Sequence, residues 1–330
     1  MKKIKKLLVL WLLIFTALCS VNAVHASSSA SAKGQAVHLT LYRKSGSILR
    51  KYTIRSGQKK LPGMKNPEGY TFLGWSTRKG QRNNPKYYAG QIISIKKDMK
   101  LYPVFFNRAN ETDPEPWELP GVNRRKYSKV IFVGDSRTYK MRDTFRRQCG
   151  GDFMDYLDFV CKSGQGIRWF QEEGYALLKN KIQAEGPASK RKPIAIVFNL
   201  GVNDLRYVNG RGPDCDALAK LYGSYFNRIG RTLASKNCRL FYMSVNPLNS
   251  CMLRGHAALR REEDVRYFNL ALQNALNSRF TYLDTHTRLA KYGYSTNNDV
   301  YDNETDDGLH YSMATYKRIY RLVMDKIARV

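Results

Sequence analysis

In VIFVGDSRTYKM (residues 130–141) an apolar run ends in Gly134-Asp135-Ser136, and a basic segment compatible with a helix follows at once. A serine in that place either caps the helix, a role serine fills readily, or holds its hydroxyl at the edge of a sheet as a nucleophile. A nucleophile for acyl transfer needs a base, a group that orients the base, and donors aimed at a developing oxyanion. His310 is the candidate base. It closes DDGLH (306–310), with Asp307 three residues before it, in a polar loop that opens onto a C-terminal helical pattern. His256 and His286 have no such acid, and Asp306 competes with Asp307 only by adjacency. Two further pieces, CKSGQGIRWF (161–170) and NLGVNDL (199–205), combine glycines with polar side chains. Taken singly, each piece has a plainer reading: Asn203 and Asp204 as an Asx-turn, Gly201 as a tight bend, His310 as a solvated loop residue.

All of these pieces fall at the ends of expected strands. From Lys129 onward, apolar runs at 130–133, 156–160, 194–200, 240–245 and 281–283 are short enough for buried parallel strands. Between them lie helical faces: Leu218, Leu221, Tyr225, Ile229 and Leu233, then Val265, Phe268, Leu272 and Leu276, and finally Tyr316, Ile319, Tyr320, Val323 and Ile327. Five β/α units predict an α/β fold, a three-layer α/β/α sandwich of flavodoxin-like type, with ligands at the carboxyl ends of the strands.

Taken in order, GDS after a strand, a glycine turn, GxND after a strand and DxxH near the C-terminus resemble the SGNH hydrolases, the GDSL-type esterase and lipase superfamily. The likeness spans roughly 129–330. It implies Ser136 as nucleophile, His310 as general base, Asp307 as its orienter, and an oxyanion hole built from the Ser136 N–H, the Gly166 N–H and the Asn203 amide. Gly164 is the rival for the glycine role. Arg137 stands where the GDSL name expects leucine; it would add positive charge beside the site or pair with Asp135 or another acid. The superfamily includes lipases, thioesterases, carbohydrate acetylesterases and acyltransferases. No cofactor is implied, and the absence of CxxC spacing gives a zinc site no support.

The rest of the chain bears on where this chemistry takes place. Residues 1–26 read as a signal peptide: a Lys-rich start, an apolar stretch from Leu7 to Val21, and Val24-His25-Ala26 at the cleavage point. A secreted or cell-wall-associated protein is expected, with no transmembrane helix after cleavage. Residues 27–35 read as a flexible tether. Residues 36–106 are β-rich, and "GYTFLGWSTRKG", "YYAGQIISI" and "DMKLYPVF" resemble the Listeria–Bacteroides (internalin B-type) repeat, which implies a small β-grasp-like module. Residues 107–127, broken by prolines and rich in acids, read as a linker. On this reading the module detaches without loss of small-ester hydrolysis. The formal net charge is +29, and residues 27–106 hold 16 Lys/Arg against only Glu68 and Asp98. A field of that sign draws polyanions; anionic cell-wall polymers are the expected partner, and no nucleic-acid recognition motif is present. Five cysteines follow the signal segment, with a Cys215–Cys251 bridge or five buried thiols as the alternatives.

The leading expectation is a secreted serine esterase that removes an acyl group, an O-acetyl in particular, from a carbohydrate. Loops 206–215 and 246–261 would rim its pocket, with Trp169 and Tyr207 able to stack on a sugar. An O-acyltransferase and a non-catalytic adhesion protein on a hydrolase scaffold are the alternatives.

Overall fold

The computed structural model describes residues 36–330 except 56, 209–211 and 303–304; the expected signal peptide and tether lie outside the described residues. An N-terminal mixed sheet comes first. β1 (Val37–Tyr42) and β2 (Ile48–Ile54) form an antiparallel pair, β3 (Gln58–Lys60) and β5 (Ile92–Ser94) form a short ribbon, and β4 (Tyr70–Ser76) runs antiparallel to β6 (Met99–Asn107). β6 lies parallel to β1, so the sheet order is β2-β1-β6-β4. Its core is Leu39, Leu41, Phe72, Leu101, Phe105 and a fully buried Trp75, whose indole N–H donates to the Pro62 carbonyl at 2.8 Å.

The second sheet is entirely parallel: β7 (Lys129–Gly134), β8 (Leu157–Cys161), β9 (Ile194–Asn199), β10 (Cys238–Met243) and β11 (Phe280–Leu283), in the order β11-β10-β9-β7-β8. Every residue of β9 is buried, because helices cover both faces. Ile131 and Val133 face one core with Phe198, Phe226 and Phe268, while Val130 and Phe132 face the other with Phe145, Tyr320 and Val323. The three-layer sandwich is therefore as the alternation of runs and helical faces predicts. Register decides the rest: Gly134 stands level with Cys161 on one side and Asn199 on the other. The chain leaves β7 toward β8 on one side and later returns to β9 on the other. The crevice between β7 and β9 is thus a topological switch point, where such sheets bind ligands.

The two sheets share a core. Leu73 of β4 and Val104 of β6 belong to the same buried cluster as Leu283, Leu289 and Tyr294, and the Phe106 ring packs on Gly293, where a Cβ would collide with it. Arg266 stacks over Tyr88 at 3.5 Å and Lys60 pairs with Glu263 at 2.5 Å. Residues 107–127 join the sheets but are not a free linker. Glu111 accepts hydrogen bonds from Ser312, Thr315 and Arg318 at the start of helix Met313–Ile327, Asp113 pairs with the buried Lys317, and Leu119 and Tyr127 are buried. Prolines and acids announced an absence of regular structure; two of the acids, Glu111 and Asp113, are in fact bound to a basic helix.

Of the two alternatives for the cysteines, the Cys215–Cys251 bridge is not formed, and all five described cysteines are free thiols. Cys215 is on helix Gly212–Ser235 rather than in a loop and faces the Asp264 carbonyl, whereas Cys251 faces the Met64 carbonyl. Burial pushes the Cys215 thiol up to about 12 and that of Cys251 to about 11, so both stay protonated.

Among the described residues no helix is long and apolar enough to cross a membrane. A chain cut to 128–330 would uncover the partners of Leu73 and Val104 and lose the Glu111 contacts. Each large apolar side chain buried is worth about 1.5–3 kcal/mol, and 1 kcal/mol moves Tm by about 2–4 °C at this size. We expect the truncated chain to melt at least about 10 °C lower than residues 36–330, or to be insoluble. An unchanged Tm would show that the sheets are independent.

Candidate active site

The helix Ser136–Gln148 begins with an unusual division of labour. Asp135, not Ser136, is the N-cap: its carboxylate accepts from the Arg137 N–H at 2.9 Å. Ser136 is thereby released from the capping role that its type alone suggested, and it sits in the first turn, where backbone N–H groups lack intrahelical partners. Gly134 allows the approach, since a Cβ there would collide with the Thr138 hydroxyl and the Asn199 carbonyl.

His310 comes to Ser136 across 174 residues of chain, with Nε2 2.8 Å from the serine Oγ. Its Nδ1 lies 2.6 Å from Asp307 Oδ2, and Asp307 Oδ1 accepts the backbone N–H groups of Leu309 and His310, each at 2.8 Å. Burial would raise the Asp307 pKa. The hydrogen bonds from the His310 ring and the two backbone N–H groups outweigh it and hold the carboxyl at about 2. An ionised carboxylate can only accept. Nδ1 therefore carries a proton; in the neutral imidazole Nε2 is then left as acceptor, and the Ser136 hydroxyl donates to it. Asp306 has a different task. It accepts from Arg108 at 2.6 Å, from the Thr296 hydroxyl at 2.6 Å and from the Gly308 N–H at 3.1 Å. Gly308 has φ +72° and packs so closely on the Asn249 carbonyl that a side chain would not fit.

Asn203 and Gly166 meet at the opposite side. Asn203 is buried; its Oδ1 accepts from Arg260 Nη2 at 2.7 Å and its Nδ2 donates to the Gln165 carbonyl at 2.8 Å. Because guanidinium groups only donate, Arg260 fixes which way the amide points. Burial, with Arg137 and Arg206 nearby, pulls the Arg260 pKa down. Asp204 accepts from the Ile167 N–H at 3.2 Å and from the Tyr222 hydroxyl at 2.5 Å, and so clamps the glycine turn. A Cβ on Gly166 would strike that carboxylate, whereas one on Gly164 (φ +73°) would meet open space. Gly166, then, is the glycine packed against the Asn203-Asp204 segment, and Gly164 only turns the chain.

Arg137 corrects the sequence reading. It is buried, and its guanidinium neither faces the substrate side nor pairs with a carboxylate. It donates to the carbonyls of Leu309 (2.9 Å), Asn246 (2.8 Å) and Pro247 (3.4 Å) and lies over the Tyr311 ring. It thus grips the residue just before His310. Arg108, Arg137 and Arg260 hold the site together; the sequence singled out Arg137 by its place after Ser136, but Arg108 and Arg260 were each one arginine among many. His286 pairs with the buried Glu262 at 2.7 Å, which removes it as a rival base. Trp169 is buried, its N–H donates to Glu173, and it reaches the wall of the cavity beside Gly166 and Asn203; the Tyr207 side chain lies outside the described residues. Among the described residues no group of three His, Cys, Asp or Glu could hold a metal.

The sequence profile of GDSL-like lipases and acylhydrolases matches residues 130–323. The chain belongs to this family of carboxylic ester hydrolases. No curated protein matches it. Solved structures similar to it include a GDSL-like lipase from Bacteroides thetaiotaomicron (14% identity, 65% of this chain and 94% of that one, TM-score 0.42). An acetyl xylan esterase (16%, 61% and 98%, 0.35) is another, as is the C-terminal catalytic domain of Streptococcus pneumoniae peptidoglycan O-acetyltransferase A (12%, 62% and 92%, 0.32).

Asp135 offers a test of the buried electrostatics. Burial, tempered by Arg137, raises its pKa to about 6. A carboxyl raised above its unfolded value is proton-hungry in the native state, so stability is lost as pH climbs from about 4 to 6. Asp135→Asn keeps the cap and removes the titration. The Tm of the variant minus that of the native chain should be near zero at pH 4 and rise to a plateau above pH 6, worth up to about 3 kcal/mol. A difference independent of pH would contradict the assignment.

Proposed function

We propose that this protein is an exported serine esterase that hydrolyses an acyl ester, an O-acetyl in particular, carried by a carbohydrate. The observation that carries the reading is the continuous hydrogen-bonded line Ser136–His310–Asp307, with the serine freed from its helix by the Asp135 cap. In this reading Ser136 Oγ attacks the ester carbonyl as its proton passes to His310 Nε2, and Asp307 stabilises the resulting imidazolium. The negative oxygen of the tetrahedral intermediate is received by the Ser136 and Gly166 N–H groups and the second hydrogen of Asn203 Nδ2. Collapse expels the alcohol, protonated by His310, and leaves the acyl group on Ser136. Water activated by His310 then releases the acid and restores the serine.

A polar acceptor is favoured by the cavity of about 380 Å³ beside Gly166 and Asn203, whose walls include Lys162, Gln165, Arg168, Arg206 and Glu172. Such walls suit hydroxyl groups better than an alkyl chain. Export is supported by the Lys-rich start, the apolar stretch and the small residues at 24–26. The GYTFLGW and LYPVF landmarks support a module of the Listeria–Bacteroides repeat kind at 36–106, and its basic surface supports retention on an anionic wall.

With p-nitrophenyl acetate, Ser136→Ala should reduce turnover to background, and native protein no more active than this variant would return the non-catalytic scaffold reading. Asn203→Ala should lower kcat by about 10²–10³ with little change in KM; a rise in KM alone would refute the oxyanion role. Arg260→Met should lower kcat about tenfold at constant KM, with Arg260→Lys intermediate; equal effects of both on Tm but none on kcat would make Arg260 merely structural. Acetylated oligosaccharides offered with free sugar acceptors identify the products: released acetate supports the hydrolase, and acetyl transferred to the sugar identifies a transferase.

A further inference from the structure

A cleft of about 650 Å³ opens on the N-terminal sheet, away from the residues of the acyl-transfer site. Arg43, Lys44, Lys79 and Arg82 line it together with the rings of Tyr70 and Tyr102, and no carboxylate contributes to its walls. None of these four cations forms an ion pair among the described residues, and all four are exposed. Four like charges around a concavity repel one another and focus a positive field, which an anion relieves. Each ring has one face engaged: Lys44 Nζ lies 3.0 Å from the centre of the Tyr70 ring, and Tyr102 stacks on Tyr42 at 4.7 Å, so a sugar ring would pack against the other face. Flat faces beside cations suit a ring that presents C–H groups on one side and carries charge at its edge.

The position of the cleft adds to this. One wall is Tyr292, at the end of a helix of the hydrolase sheet. Another is formed by Asn107 and Asn110, which flank Arg108, the residue bonded to Asp306 beside the His310 loop. A polymer lying in the cleft would therefore run against the segment that leads to the acyl-transfer residues.

We propose that the cleft binds a segment of an acidic polysaccharide, sugar rings bearing carboxylates or phosphates, and holds that polymer against the segment that leads to the esterase site. This rests on the esterase reading above for its choice of a glycan over single-stranded nucleic acid, which the same combination of rings and cations also attracts but which carries no acyl-esterified hydroxyls. Chain 27–330 is titrated with polygalacturonate, phosphorylated dextran, unmodified dextran and single-stranded DNA, and p-nitrophenyl acetate hydrolysis is measured alongside. Binding to one or both acidic glycans, absent with plain dextran and weakened by salt, is expected. Lys79→Glu/Arg82→Glu should weaken it at least tenfold. Lys96→Glu/Lys97→Glu, an equal change of charge at exposed positions outside the cleft, should weaken it less than threefold, with ester hydrolysis and Tm unchanged in both. Equal weakening by the two pairs, no glycan binding, or tighter binding of DNA would overturn the proposal. Loss of ester hydrolysis in the native chain with cleft-dependent glycan binding intact would instead overturn the esterase reading alone.

Discussion

The hydrogen bond between Ser136 and His310 is the contact on which the rest of the site depends, and neither residue makes it alone. It joins the start of one helix to a loop 174 residues later, so its length is decided by how firmly both ends are anchored. Parallel strands ending in register supply one anchor. Gly134, level with Asn199, brings the serine turn beside the NLGVND loop, and the Asp135 cap leaves the hydroxyl unoccupied. The other anchor is a set of arginines. Arg137 holds the carbonyl before His310, and Arg108 holds the aspartate before Asp307. Their planar, multiply donating heads suit backbone and carboxylate acceptors in a way that a lysine could not match.

Burial gives these polar groups their importance. Asp135, Arg137, Asn203 and Arg260 are nearly inaccessible to water, and an unpartnered polar group there would be costly. Each finds partners in the neighbouring loops, so that the network doubles as the means of orientation. Arg260 dictates the direction of the Asn203 amide, Asp204 clamps the glycine turn, and Asp307 sets the tautomer of His310. The same low-dielectric surroundings move Asp135 up and let hydrogen bonds hold Asp307 down. Two carboxylates of one site thus differ because one sits among few donors and the other accepts three.

The N-terminal sheet takes part in this arrangement. Leu73 and Val104 complete a core whose other members belong to the hydrolase sheet, its helices and loops, and the connecting strap, and that strap reaches the loop 306–310 through Arg108 and the final helix through Glu111. A module that looked detachable in sequence is therefore packed on the hydrolase core and joined, through Arg108, to the loop of Asp307 and His310. Its strongly basic outer surface remains exposed to whatever polymer lies near.

The parallel sheet, its flanking helices and the strand-end loops that carry Ser136, Asn203, Asp307 and His310 were all legible in the sequence. Buried parallel strands read as short continuous apolar runs, and a strand-end site places its polar residues directly after them. Local spacing likewise joined Asp307 to His310, because three residues within one turn cannot separate far. What the sequence did not reveal lies in long-range packing. The sequence preferred Asp307 to Asp306 and Gly166 to Gly164, but did not show the contacts that separate each pair: Arg108 holds Asp306, and the Asp204 carboxylate packs against Gly166. Arg260 resembles a surface arginine, and Arg137 a charge beside the site, until the fold buries both against carbonyls that are distant in sequence. The cysteines stay apart because Cys215 turns into a helix core and Cys251 toward the other sheet. Residue type and local spacing decide which groups are present; which of them meet is settled only when strand register and the two shared cores bring remote loops within hydrogen-bond reach.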